Sequence, residues 1–292
     1  MLVQDTLNIT DSNIICEYEP IQEEAKVNIE ASYITSLILS LIIIVINAFF
    51  LLSYLAHRSL RHRINFLYII LSMSDFLFGL FSVSVICIIL NKSFNEQCGM
   101  RDILITGGFA FCNIALASIT AISVEIYLAI VKPFSHATRR EKNTVAKVLV
   151  GMWIPCIALP IISRYHKSQL WGIYFISIGV LIIILQCFII LVQTAIYISV
   201  NRARNARSKD KYAAVTSAIF ICTYFISFLP LSVVGIYSKL SSHGLFMESY
   251  VIPWVYLLAT INCVADPIVS IMRTPKWRET IFKHVTETST SA

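Results

Sequence analysis

An all-α fold, a bundle of seven helices spanning a membrane, is what this sequence predicts, and three observations predict it. Of 292 residues, 57% are hydrophobic and only 14% charged, against the roughly half-apolar, quarter-charged average of soluble domains. The apolar residues fall in seven separate stretches, close to the ~20 residues a helix needs to cross hydrocarbon. Lys and Arg collect in alternate loops, as they do on the cytoplasmic side of membrane proteins.

The stretches can be taken in order. Residues 31–56 contain no Asp, Glu, Lys or Arg, and residues 64–91 contain only Asp75, which predicts helices over 33–56 and 65–90. Residues 103–124 are uncharged within a third predicted helix, 102–131. A short apolar run at 148–163 predicts the fourth, 145–163, and the long uncharged run 168–201 holds a fifth, 171–200, plus some loop. Residues 212–238, uncharged around Pro230, make the sixth, and 249–272, with only Asp266 charged, the seventh. This leaves residues 1–30 as an N-terminal segment and 273–292 as a tail with a Ser/Thr-rich end.

The loops after helices one, three and five, together with the tail, hold 17 of the 23 basic residues, among them Arg58, Arg139, Arg140, Arg202, Arg204 and Arg278. The opposite side is acidic, with Glu17, Glu19, Glu23, Glu24, Glu96 and Asp102 among its charges. The N-terminus is therefore expected outside a plasma membrane, and the net charge of +6 reads as topology rather than as nucleic-acid binding. Residues 1–30 lack a basic start followed by an apolar core, so no cleavable signal peptide is expected. Asn8-Ile9-Thr10 and Asn91-Lys92-Ser93 match the glycosylation acceptor pattern on the outer side.

Ionisable groups inside a span cost about 2.5 to 3.5 kcal/mol on insertion scales, so they face the bundle interior and often serve function. Asp75 and Asp266 are the two clearest cases. They could share one water-filled site, where two carboxylates compete for ionisation unless a cation sits between them, or serve separate structural roles. Glu125 ends the third span, where a charge reaches the interface at low cost. No HExxH or GxSxG motif appears, which disfavours an enzyme. Absence of repeat symmetry disfavours a transporter.

In this order and on these sides, the motifs resemble the rhodopsin-like, class A, G-protein-coupled receptors. Asn47, Leu71-Ser72-Met73-Ser74-Asp75, Trp153 and the stretch Glu125-Ile126-Tyr127 carry the resemblance through the first four helices. Tyr197 in helix five, Phe228-Leu229-Pro230 in helix six and Asp266-Pro267 in helix seven continue it. Residues 276–282 are similar to the family's short amphipathic eighth helix, which lies on the inner membrane surface. The resemblance implies a receptor that passes an extracellular ligand signal to heterotrimeric G proteins or arrestin, with membrane lipids around it. It also implies a sodium or polar switch site at Asp75, Asn262 and Asp266, from which Ala115 removes the family's third-helix serine.

The departures fall at the switches. Ile126 stands where the family has an arginine, and its apolar side chain cannot imitate that charged fork. Asp210, placed to pair with the arginine, loses its partner, so the resting ionic clasp should be absent. Phe228 replaces a tryptophan and Ser270 a tyrosine. These changes give a second reading: a receptor-like protein that does not couple to G proteins and acts as a decoy, an arrestin-biased receptor or a modulator of a partner. The second outer loop lacks the family's cysteine. Six cysteines fall in spans as packing residues, which leaves Cys16 and Cys98 on the oxidising side, either bridged or free.

Ligand contacts are expected among Asp102, Phe109, Asn113, Tyr237 and Tyr256, an apolar enclosure with few polar groups. Gly108 occupies the level at which amine receptors place an aspartate, so an aminergic ligand is disfavoured. Helix seven has no lysine for a retinal Schiff base. Lipid, peptide and nucleoside ligands stay open. A short outer loop, Ile189 and Asp266 give a weaker resemblance to the branch of melanocortin, cannabinoid, lysolipid and adenosine receptors.

Overall fold

The computed structural model describes residues 23–60, 63–90, 98–131, 151, 153–162, 168–202, 208–240, 250–273 and 277–279. The helices are α1 (Glu23–Ala56), α2 (Arg63–Leu90), α3 (Cys98–Val131), the short α4 (Trp153–Ile162), α5 (Ser168–Arg202), α6 (Ser208–Leu240) and α7 (Ile252–Arg273). A 3-10 turn at Arg58–Leu60 follows α1, and residues 277–279 are helical. Among the described residues no strand is present. Six helices are long and apolar enough to cross a membrane, and α4 is a shorter apolar helix. The chain is therefore a multi-pass membrane protein.

Several helices run past the apolar limits that hydropathy gives. α1 starts at Glu23 rather than near 33, and α6 at Ser208 rather than 212. A helix does not end where hydrocarbon ends. Glu and Lys are good helix formers, so the helix extends beyond the apolar run.

Neighbours close in a ring: α1 packs on α2 and α7, α2 on α3, α3 on α5, α5 on α6 and α6 on α7. In lipid no hydrophobic force drives this, so close approach and hydrogen bonds must. Gly79 supplies the approach between α1 and α2; a Cβ there would stand 3.0 Å from Ile44 and 3.3 Å from the Ser40 carbonyl. Beside it the Ser40 hydroxyl donates to Ser82 at 2.8 Å. Hydroxyls elsewhere bond back four residues within their own helix, as Ser118 does to Ile114 and Thr120 to Leu116, so they cross the interior without an unpaired donor.

One end of the bundle carries Arg58, Arg202 and Arg273 and is the basic end. Its apolar core joins Leu67 and Leu71 of α2, Ile119, Ile122 and Ile126 of α3, Ile196 of α5, Tyr224 and Phe228 of α6 and Val269 of α7. Trp277 closes it from below, fully buried and stacked on Phe50 with ring centroids 4.1 Å apart. This packing explains why Ile126 is tolerated where a charge was expected. At 2% exposure it fills a core position.

Candidate functional site

A polar cluster sits in the apolar interior, built from three helices. Asn47 of α1 donates Nδ2 to the carbonyls of Ile43 at 3.0 Å and Cys263 at 3.1 Å. Its Oδ1 accepts the Ser72 hydroxyl of α2 at 2.7 Å. One amide thus ties α1, α2 and α7 together. The Cys263 carbonyl lies on the turn N-terminal to Pro267, whose ring removes a backbone donor, and that carbonyl is where Asn47 attaches.

Asp75, Asn262 and Asp266 do come together. All three are buried, with Asp75 completely so. Asn262 donates Nδ2 to both Asp266 oxygens, at 3.2 and 3.1 Å, across one turn of α7. The Ser270 hydroxyl, in place of the expected tyrosine, turns inward to the Asp266 carbonyl at 2.7 Å. Asp75 lies beside Asp266 and Cys263, yet neither of its oxygens makes a well-formed hydrogen bond, and the Asn262 Oδ1 also lacks one. Cys112 of α3 belongs to the same electrostatic neighbourhood.

Buried polar atoms without partners are rare and costly. The unpartnered atoms here are all oxygens, from two carboxyl-bearing helices. With both carboxyls ionised, such an oxygen-only set suits a hard cation with its water. Among the described residues no group of three or more His, Cys, Asp or Glu side chains could hold a metal ion; the oxygens left over in the cluster are those of Asp75 and the Asn262 amide.

Towards the acidic end, Tyr256 of α7 packs against Phe78 with ring centroids 6.0 Å apart and lies close to Ser82. Phe81 and Phe111 meet at 5.3 Å. Asn113 is buried on α3, where its carbonyl accepts the Cys156 thiol of α4 at 3.5 Å. Gly108 borders open space, for a Cβ built there meets nothing within 4 Å. Tyr237 is 47% exposed on α6. Asp102 and Phe109 lie on α3, with side chains outside the described residues.

At the basic end Glu125 and Ile126 are buried, Tyr127 is half-buried and Tyr197 is 63% exposed on α5. Asp210 lies in the first turn of α6, its side chain not described. Phe228 packs on Tyr224 at 4.9 Å, two residues before Pro230. Asn8, Cys16 and Asn91 lie outside the described residues, as does the Cys98 side chain.

Of the interior groups left without partners, sequence reasoning overlooked the Tyr224 hydroxyl. The amide of Gln186, at 2% exposure on α5, has neither atom paired, and the Tyr224 hydroxyl and the Trp153 indole nitrogen are likewise buried without partners. Polar residues in an uncharged run were the available signal, but hydropathy does not say which face they take.

Comparison with known proteins adds the following. Residues 46–170 match the family described as 7 transmembrane receptor (rhodopsin family). The chain is similar to melanopsin of Rattus norvegicus, 20% identical over 279 residues, covering 80% of this chain and 57% of that protein. It is 21% identical over 273 residues to the short-wave-sensitive opsin 1 of the same species, covering 82% and 78%. A shorter match, 28% over 115 residues, is to the histamine H4 receptor of Mus musculus, covering 38% and 29%. The chain spans little more than half the length of the melanopsins it matches, 57% and 56%.

Proposed function

We propose that this chain is a divergent member of the rhodopsin-like, class A, receptor family, which residues 46–170 and the opsin likenesses support, and that it carries an extracellular ligand signal across the plasma membrane, with its basic end in the cytoplasm. The observation that supports this most is the buried Asp75, Asn262 and Asp266 cluster. A group of carboxylates held between α2 and α7, with oxygens left unpaired, costs stability unless something binds there. Sodium fits the oxygen set. Its charge would offset the carboxylates and favour the arrangement in which α2 and α7 converge on it.

Ligand chemistry follows from what the interior offers. Open space at Gly108 presents no anion to an ammonium group, so the histamine H4 likeness is not carried over to the ligand. α7 has no lysine, so neither is a retinal Schiff base from the opsin likeness. The unpaired Gln186 amide, buried on α5, suits an uncharged or lipid-like ligand with one polar group. Peptides and nucleosides belong in the same screen.

A second reading is favoured by Ile126. Packed in the core, it leaves no positive fork at the cytoplasmic face, and this suits a receptor-like protein that recruits arrestin or a partner receptor without driving a G protein. The test is a cell-based panel of G-protein and arrestin sensors, run with lipid, peptide and nucleoside libraries on the unmodified chain and on Ile126→Arg at matched surface expression. Ligand-dependent G-protein signalling from the unmodified chain supports the first reading. Silence relieved only by the arginine supports the second.

A further inference from the structure

The first turns of α6 are held from both sides by uncharged side chains. On the α5 side, Gln193 donates Nε2 to the Ala214 carbonyl at 3.0 Å. On the α7 side, the Tyr212 hydroxyl donates to the Met272 carbonyl at 2.6 Å. Met272 belongs to the last turn of α7, where carbonyls have no partner within the helix and accept readily. The Arg278 guanidinium lies over the Tyr212 ring, 5.4 Å from its centroid. The residue before it, Trp277, is stacked on Phe50, so the segment that covers Tyr212 is itself anchored to α1.

These contacts occupy two positions a few residues apart on α6, at the face where Ile126 removes any acid–arginine clasp. We propose that Tyr212 and Gln193 form a double latch that holds the base of α6 against α7 and α5, in place of a charge pair, and that opening the cytoplasmic face requires both bonds to break. The proposal rests on the receptor reading for its purpose but not for its geometry. A neutral side-chain bond to a carbonyl shifts an equilibrium roughly fivefold. Two of them, with the cation over the ring, set a closed resting state that a ligand can still overcome.

The latch is tested by pulsed electron resonance on the full chain in lipid nanodiscs. Nitroxides go at Leu52 of α1, 65% exposed, and Val215 of α6, 59% exposed, after the exposed Cys87, Cys187 and Cys222 are changed to alanine. The parent should give one dominant distance. Tyr212→Phe, which keeps the ring under Arg278, should raise a longer-distance population roughly fivefold relative to the short one, and addition of Gln193→Leu should raise it again. An unchanged distance distribution in the double variant, with its melting temperature close to the parent's, overturns the latch. Should the double variant not fold, Tyr212→Phe alone decides, because its volume is conserved: no longer-distance population there overturns the proposal. A lengthened distance in variants that no ligand activates would count against the receptor reading and for the latch. Ligand-dependent signalling with unchanged distances would do the reverse.

Discussion

Asn47 reaches across to α7 and donates its side-chain amide to the Cys263 carbonyl at 3.1 Å, one turn before Pro267. The same side chain accepts from Ser72, so a single residue on α1 fixes the spacing of the two helices that bring Asp75 and Asp266 together. The carboxyl cluster owes its geometry to a neutral group outside it.

Loss of that amide should therefore loosen the cluster. Asn47→Leu fills the volume but leaves the Ser72 hydroxyl only the 3.4 Å contact to the backbone carbonyl of residue 47, and the Cys263 carbonyl without its donor. Hydrogen bonds between membrane helices average about 0.6 kcal/mol, and buried groups left unpaired add ~1 to 3 kcal/mol. The expected cost is about 2 kcal/mol, read as a lower melting temperature in detergent. A melting temperature equal to the parent's would show that Asn47 holds nothing.

Sodium should stabilise the parent and not Asp75→Asn. A ligand at ten times its dissociation constant contributes RT ln 11, about 1.4 kcal/mol. Thermal unfolding in sodium chloride is compared with choline chloride at equal ionic strength, so that screening cancels. Asp75→Asn should abolish the difference. A sodium response retained in Asp75→Asn would place the ion elsewhere, and no response in the parent would leave the cluster without a cation.

Two glycines should answer oppositely to alanine. At Gly79 a Cβ would press on Ile44 at 3.0 Å, Ile43 at 3.2 Å and the unyielding Ser40 carbonyl at 3.3 Å. Gly79→Ala should cost ~1 to 3 kcal/mol as α1 and α2 are forced apart. Gly108 faces open space, so Gly108→Ala should be neutral or gain up to about 1 kcal/mol from helix propensity. Equal melting temperatures for the two variants would contradict the close packing of α1 on α2.

The seven-helix architecture was legible in the sequence because lipid demands it residue by residue. Uncharged length and alternate basic loops leave few other folds, and charges such as Asp75 and Asp266 stand out against the run. What the sequence concealed depends on facing. Ile126 reads as a lost arginine until the core around it shows a packed isoleucine. Tyr224 lies in an apolar stretch, and only the rotation of α6 puts its hydroxyl inside. Tyr212 opens the predicted sixth span and Trp277 falls in the predicted eighth helix, but their contacts with Met272 and Phe50 had no sequence signal beyond aromatic character. Helix ends were missed for the same reason, since hydropathy marks the membrane rather than the hydrogen-bond ladder.

Ile126 is where stability and signalling should part. Its side chain is 2% exposed among Ile119, Ile122, Ile196 and Tyr224, so a smaller or charged replacement meets a core rather than solvent. Ile126→Val should cost ~0.5 to 1.5 kcal/mol, the usual loss for one buried methylene. Ile126→Arg should cost more, about 3 kcal/mol, because a guanidinium must either desolvate in the core or push α6 aside to reach the interface. That displacement would strain the Tyr212 bond to Met272. The arginine variant is therefore expected to melt below the valine variant while showing more of any ligand-independent G-protein output the parent has. If Ile126→Arg melts with the parent, the core at this level yields easily and the packed isoleucine does not explain a silent receptor.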